Sequence, residues 1–103
     1  MSDQFCTHIF WESLVENQPI SVETPWGTAV LMRSVDKLVA FSPRCPHASA
    51  NLLEGHWGNG RITCPKHGWK FNLVSGRTIY PADEACRLKR YPAEIKDGQI
   101  WLG

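Results

Sequence analysis

The chain has 103 residues, a formal net charge of +1 and 20% charged side chains. This length suits a single domain over residues 1–103, and the near-neutral charge argues against disorder and against a nucleic-acid-binding protein. No run approaches the ~20 apolar residues of a membrane helix, and the N-terminus lacks the regions of a signal peptide. We therefore expect a cytoplasmic protein without a membrane segment, in which the four cysteines stay reduced.

The first half of the chain indicates short β-strands separated by turns. A helical segment at Trp11–Asn17 is too short to be stable alone. Turns at 24–27 (TPWG) and 35–37 (VDK) separate three predicted strands: Ile20–Glu23, Thr28–Ser34 and Leu38–Ser42. The middle strand alternates only loosely between apolar and polar residues, which predicts that both of its faces are covered.

Three predicted hairpins follow in the second half. The first turns at GNG (58–60), the second at SG (75–76), and the third at Asp97-Gly98, a good type I′ turn signal. Their predicted strand pairs are His56–Trp57 with Arg61–Cys64, Lys70–Leu73 with Arg77–Tyr80, and Tyr91–Ile95 with Gln99–Leu102. The fold class is therefore mostly β, a small antiparallel sandwich or barrel whose chemically interesting residues lie in loops.

Two loops of this β domain each carry one cysteine and one histidine. The ligand candidates are Cys45 and His47 and, after sixteen intervening residues, Cys64 and His67. A proline follows each cysteine and fixes the local backbone. Two such loops facing each other could hold a four-ligand metal centre.

The identity of the metal has two interpretations. A Cys₂His₂ set suits tetrahedral Zn²⁺, which would make the chain a zinc-stabilised binding module. Zinc fingers, however, usually place two cysteines on one knuckle and two histidines on the other. The mixed loops here fit a two-iron cluster, because each loop would have to reach both irons.

The motifs CPH (45–47) and CPKHGW (64–69) resemble the Rieske iron–sulfur family. The resemblance implies a [2Fe–2S] cofactor, with Cys45 and Cys64 on the inner iron and His47 and His67 on the outer iron. It also implies a cluster-binding subdomain at about residues 43–77 and a function in one-electron transfer. Neutral imidazoles in place of thiolates raise the reduction potential above that of four-cysteine ferredoxins.

The chain departs from the Rieske centres of respiratory complexes, which carry an extra cysteine in each cluster loop. Here the corresponding stretches hold Ala48, Ser49, Ala50 and Lys66, so no loop disulfide can form. Those centres also have hydroxyl groups that bond to the cluster sulfurs. With fewer such hydrogen bonds here, we expect a potential at the low end of the Rieske range, about −150 mV. Tyr80-Pro81-Ala82 is the candidate for a third loop that covers the cluster in this family, although an ordinary strand-ending proline explains it equally well.

The other cysteines and histidines are assigned no ligand role. The CTH motif at Cys6–His8 repeats the spacing of CPH but has no C-x-x-H partner, so we predict a strand segment with a buried thiol. Cys86 is interpreted as a small hydrophobic residue and His56 as a surface histidine. Trp69 follows the second pair and either shields the cluster or packs in the core.

Positive charge is concentrated around the candidate ligands. Residues 43–77 carry five basic residues against Glu54 alone, a net charge of +4, and the rest of the chain carries −3. One interpretation is scattered, solvated charge. The other is a positive face, including Arg44 and Lys66, that steers an acidic docking surface of a partner.

The resemblance implies a Rieske ferredoxin that carries electrons from an NAD(P)H-linked flavoprotein reductase to a terminal, ring-hydroxylating type oxygenase. The 103 residues contain no second iron domain like that of oxygenase subunits, so we expect an electron-transfer protein and not an enzyme. The C-terminal part, from Pro81 to Gly103, resembles the small subunit of NAD(P)H-dependent nitrite reductase at least as well. In that alternative the partner is the large subunit of nitrite reductase.

Overall fold

A computed structural model describes residues 4–46, 50–82 and 85–103. In these ranges the chain forms short β-strands and two brief 3₁₀ helices. The strands are β1 Phe5–Phe10, β2 Ile20–Thr24, β3 Gly27–Ser34, β4 Lys37–Phe41, β5 His56–Gly58, β6 Arg61–Thr63, β7 Lys70–Asn72, β8 Thr78–Tyr80, β9 Ala93–Lys96 and β10 Gln99–Leu102, and the 3₁₀ helices are Trp11–Ser13 and Leu52–Glu54.

The strands form three antiparallel sheets with the orders β1-β10-β9, β2-β3-β4 and β5-β6-β7-β8. The segment before β9 joins the middle sheet, because Ser42 N–H donates to Lys89 O and Tyr91 N–H donates to Ala40 O (2.8 and 2.9 Å). The predicted mostly β fold is confirmed. All three predicted hairpins form, with strand ends shifted by one or two residues.

The helical prediction at Trp11–Asn17 is wrong beyond its first turn. A single 3₁₀ turn covers Trp11–Ser13, and Leu14 then adopts an extended backbone with φ −76° and ψ 132°. This change of direction buries the Leu14 side chain, which is 3% exposed. Among the residues that the structure describes, no helix has the length and apolar character needed to cross a membrane.

Tight two-residue turns connect β2 to β3, β3 to β4, β5 to β6 and β9 to β10. Asp97 and Gly98 both have positive φ (52° and 79°), as the type I′ prediction requires. The β3–β4 turn has the same backbone signs although its residues are Val35 and Asp36 (φ 51° and 58°). The Glu16 carboxylate accepts hydrogen bonds from the backbone N–H groups of these two residues, at 2.7 and 3.3 Å. This contact compensates for a turn conformation that a β-branched residue disfavours.

The middle sheet separates two hydrophobic cores. Val30 and Met32 point to one side of β3 and Ala29 and Leu31 to the other, and all four are fully buried. The expectation that both faces of this strand are covered is therefore confirmed. The core that we call the cysteine core contains Val30, Met32, Val39, Phe41, Cys45, Leu52, Ile62, Cys64, Phe71, Leu73 and Leu88. The terminal core contains Leu14, Ala29, Leu31, Ala40, Ile100 and Leu102.

Candidate metal centre

The first ligand-bearing loop connects β4 to the second 3₁₀ helix and has a short hairpin stem. Cys45 N–H donates to Ala50 O at 2.9 Å, and Arg44 and Asn51 form an antiparallel bridge next to this bond. Cys45 is 1% exposed and belongs to the cysteine core. The stem thus fixes the thiol at the inner end of the loop. His47, the other predicted ligand of this loop, lies outside the described residues.

The second loop connects β6 to β7 and is closed by backbone hydrogen bonds. Cys64 N–H donates to Trp69 O at 2.7 Å, and Gly68 N–H donates to Cys64 O at 3.2 Å. Gly68 has φ +73°, a conformation that glycine adopts without a steric penalty. Cys64 is 1% exposed, whereas His67 is exposed. The loop therefore turns its cysteine inward and places its histidine at the surface.

The two loops lie against each other over the cysteine core. Both cysteines belong to this core, and the half-buried Trp69 packs against it with its ring centroid 6.4 Å from that of Phe71. A cavity of about 370 Å³ between the loops is lined by Ala50, Asn51, Glu54, Pro65 and Lys66. The prediction that the loops face each other agrees with this arrangement.

Gly55 supports the second loop, a role that the sequence analysis missed. A Cβ atom at this position would lie 1.9 Å from Thr63 O and 3.2 Å from Pro65 Cδ. The backbone just before β5 therefore passes too close to the start of the second loop for any side chain. The available signal was a glycine directly before a strand, which suggests close backbone approach.

The remaining cysteines and histidines lie apart from the two loops. Cys6 is half-buried on β1, not fully buried as predicted, because Thr7 takes the inward position and donates to Ile100 O at 2.7 Å. The Cys6 thiol donates to Gln99 Oε1 at 3.3 Å and lies 3.8 Å from His8 Nδ1. Cys86 is a half-buried free cysteine, and the side chain of His56 is exposed at the start of β5.

The positive surface near the loops contains fewer basic residues than the charge count for residues 43–77 suggests. Arg44 and Lys66 are exposed on the first and second loops, and Lys70 begins β7 directly after the second loop. Arg61, by contrast, begins β6, and Arg77 follows the β7–β8 turn, so both lie at the ends of the hairpins away from the loops. The structure thus supports a positive face made by the first three residues only.

The third-loop candidate follows β8. The bond between Tyr80 and Pro81 is cis, and Tyr80 is 59% exposed. Tyr80 is the cross-strand neighbour of Lys70 in the β7–β8 pair, and Lys70 is the first residue after the second loop. The segment therefore begins at the loop end of the hairpin, where a covering loop would have to start.

The donor set fits an iron–sulfur cluster. Buried thiolates are soft ligands suited to iron–sulfur centres, and the exposed His67 would contribute an imidazole on the solvent side. Within the described ranges, no group of three or more His, Cys, Asp or Glu side chains could hold a metal ion. The predicted set of four includes His47, which those ranges omit.

Comparison with known protein families identifies the family of this chain. Residues 5–92 match the sequence model of the Rieske [2Fe–2S] domain. The chain belongs to this family. The family cofactor is a [2Fe–2S] cluster, so the predictions of the family and of this cofactor rather than zinc are confirmed.

Two relatives of the Rieske chain are ferredoxins of oxygenase systems. The ferredoxin component of the alkene monooxygenase system of Xanthobacter autotrophicus is 32% identical over 75 residues, covering 72% of this chain and 60% of that protein. The ferredoxin subunit of 3-phenylpropionate/cinnamic acid dioxygenase of Photorhabdus laumondii is 37% identical over 65 residues, covering 61% and 60%. The matched region thus spans about 60% of the length of these two relatives.

A solved structure shares the fold over its full length. The ferredoxin of carbazole 1,9a-dioxygenase from Nocardioides aromaticivorans superposes with a TM-score of 0.82 at 21% identity, covering 99% of this chain and 98% of that chain. The three-sheet arrangement described above is therefore also the fold of that ferredoxin.

Proposed function

We propose that this protein is an electron carrier that passes single electrons from an NAD(P)H-linked flavoprotein reductase to a terminal oxygenase of the ring-hydroxylating type. The observation that carries the proposal is the pair of loops with buried cysteines and an exposed histidine. The names of the alkene monooxygenase and dioxygenase relatives support an oxygenase system. When bound, the [2Fe–2S] cluster accepts and donates one electron.

The ligands in this proposal are Cys45, His47, Cys64 and His67. Two features support the roles of the cysteines: each is 1% exposed, and each loop is closed by a backbone bond from its cysteine N–H. Leu52, Phe71 and Trp69 surround this region with apolar surface, which excludes water from the thiolate side. The exposed His67 ring would provide the path by which electrons cross the protein surface.

We further propose that residues 1–103 form one domain and that its cluster-binding part spans about 43–77. The cysteine core supports this division, since buried residues of β3 and β4 belong to the same cluster as both cysteines and Phe71 of β7. The cluster-binding part is then an extension built on one face of the middle sheet. It would lack its own apolar floor if it were separated from that sheet.

The experiment that tests the proposal measures both the cofactor and electron flow. The purified protein should be brown, contain iron and acid-labile sulfide in equal amounts, and give a Rieske-type electron spin resonance signal after reduction. It should then restore NAD(P)H-dependent product formation to a mixture of reductase and oxygenase that lacks a ferredoxin. Colourless protein with one zinc per chain would contradict the proposal.

The nitrite reductase alternative predicts a different partner for the same cluster. In that case the protein would copurify with a nitrite reductase large subunit and support nitrite reduction, and it would not restore product formation by an oxygenase. The oxygenase ferredoxins among the relatives favour the first partner. We also expect a reduction potential of about −150 mV, and a potential well above zero would contradict the argument from fewer hydrogen bonds to the cluster sulfurs.

A further inference from the structure

A second polar pocket lies at the turn end of the β7–β8 hairpin. Its volume is about 610 Å³, within the range of small-molecule sites. Two arginines line it together with polar and apolar residues: Arg77, Arg87, Asn72, Ser75, Thr78, Ile79 and Ala85. Nothing in the proposed electron transfer uses this pocket.

The two arginines are held opposite each other by the backbone. Arg77 and Arg87 are antiparallel bridge partners, and Leu88 N–H donates to Gly76 O at 2.8 Å beside them. A Cβ atom at Gly76 would lie 3.1 Å from Leu88 O, so this glycine permits the close approach of the two segments. Like charges directly opposite each other across a strand pair destabilise it.

These arginine charges lack a structural counter-ion in the part of the chain that the structure describes. Both guanidinium groups belong to exposed residues. The salt bridges found among residues 4–46, 50–82 and 85–103 join Arg33 to Asp36 and Lys96 to Glu94, and neither involves Arg77 or Arg87. An anion between the two guanidinium groups would relieve their repulsion.

The neutral polar groups of the pocket are oriented as donors. Asn72 Oδ1 already accepts from the backbone N–H groups of Val74 and Ser75, at 2.8 and 3.0 Å. This orientation leaves the Asn72 amide hydrogens as its remaining hydrogen-bonding groups. Ser75 Oγ accepts from Arg77 N–H at 3.2 Å, so its hydroxyl hydrogen is also available to a ligand.

We propose that this pocket binds the phosphate group of a small organic phosphate monoester. A phosphate carries a charge of about −1.5 to −2 near neutral pH and three strong acceptor oxygens, which matches two guanidinium charges and the additional amide and hydroxyl donors. Arginine binds phosphate through paired, parallel hydrogen bonds. Ile79 and Ala85 provide apolar surface for the organic part of the ligand.

The phosphate pocket is separate from the metal centre. Lys70, next to the second loop, is paired with Tyr80 at the loop end of the hairpin. Asn72 lies two residues further along β7, roughly 7 Å towards the turn. Binding can therefore be measured on the protein alone, and the result does not depend on whether the proposed electron transfer is correct.

The test is an NMR titration of the oxidised, cluster-loaded protein with inorganic phosphate and, separately, phenyl phosphate, at constant ionic strength maintained with sodium chloride. We expect saturable shifts of the Ser75, Arg77 and Thr78 amides. The double variant R77Q/R87Q should weaken binding at least about tenfold, since it removes two charge-assisted contacts. The exposed control K37Q removes a charge at the β3–β4 turn and should leave affinity unchanged within about twofold.

Several results would overturn the phosphate site. Absence of saturable shifts in the wild type is one, and equal affinity in R77Q/R87Q with an unchanged melting temperature is another. Acetate binding as tightly as phosphate would assign the pocket to carboxylates instead. Asp83 and Glu84 precede Ala85 in the sequence, so binding that appears only in the variant D83N/E84Q would show that the chain's own carboxylates occupy the pocket.

Discussion

The terminal core and the cysteine core share one sheet but are completed by different kinds of structure. The terminal core is closed by β10, a strand fixed by its ladder to β1 and β9. The cysteine core is closed partly by two loops, each held by a short stem of backbone hydrogen bonds. This difference indicates that the loops proposed to hold the cofactor are positioned by the sheet beneath them. Loop residues could then serve as ligands, because the strands supply the stability.

The largest expected effect comes from removing a thiol that joins the loops to the cysteine core. In C64S or C45S, a poor oxygen ligand replaces a buried thiolate, and we expect complete loss of the visible absorbance and of bound iron. Cys86, which lies outside the core, offers the matched control C86S. Iron retained in full by C64S, or lost equally from C86S, would contradict the ligand assignment.

The next prediction compares neighbouring residues on the two faces of β3. Met32→Ala opens a cavity in the cysteine core and Leu31→Ala opens one in the terminal core. Each should lower the free energy of unfolding by about 2–5 kcal/mol, measured by urea titration. Only M32A, however, removes support from beneath the loops.

Cluster loss separates these two variants. With an iron chelator and no denaturant, M32A should lose visible absorbance several-fold faster than L31A. Equal rates of loss would mean that the two cores support the loops equally. The division into a loop-bearing core and a terminal core would then have no functional meaning.

A third prediction concerns the contact between the Gly55 backbone and the second loop. A methyl group in G55A would overlap Thr63 O, and the resulting backbone shift should destabilise the protein by about 1–3 kcal/mol. Iron content per folded chain should also fall, because Thr63 directly precedes Cys64. The control G27A meets no atom within 4 Å and should leave iron content unchanged, although its φ of +116° adds strain. A cluster content in G55A equal to that in G27A would contradict the supporting role of Gly55.

The smallest effect is expected from surface charge. In R44E/K66E, reversal of two exposed charges on the loops should slow electron transfer to the proposed oxygenase partner several-fold at low ionic strength. The difference from wild type should disappear at high salt because exposed charges are screened. The control R61E changes a charge away from the loops and should have little effect. A rate for R44E/K66E that equals wild type at every salt concentration would leave only the scattered-charge interpretation.

The sequence predicted most of the local structure and little of the long-range pairing. Asn59-Gly60 and Asp97-Gly98 are strong turn signals, so their hairpins were predictable from a few residues. The pairing of β1 with β10 joins the two ends of the chain, and no local pattern encodes such a contact. The exposure of Cys6 was missed for a related reason, because the inward side of β1 is decided by its distant partner.

Ligand candidates were predictable because cysteine and histidine spacing is a local property. The residues that support the ligand loops were harder to predict from the sequence. A glycine is needed at position 55 only because Thr63 O approaches it. The packing of Trp69 against the cysteine core depends on how the loop folds. A count of charges along the sequence also could not show which basic residues belong to the positive face. Arg61 and Arg77 are close to the candidate ligands in sequence but lie at the other ends of their hairpins.

The position of the middle sheet between two cores affects how the pairing register of its strands is determined. In a sheet with one wet face, a slip by one residue is penalised because it carries apolar side chains into water. A slip of β3 would instead exchange the contents of two dry cores, so hydrophobicity alone would discriminate weakly. The two-residue turn at Val35 and Asp36, held by the Glu16 carboxylate, therefore fixes the register of β3. In this register Met32 faces the cysteine core and Leu31 faces the terminal core.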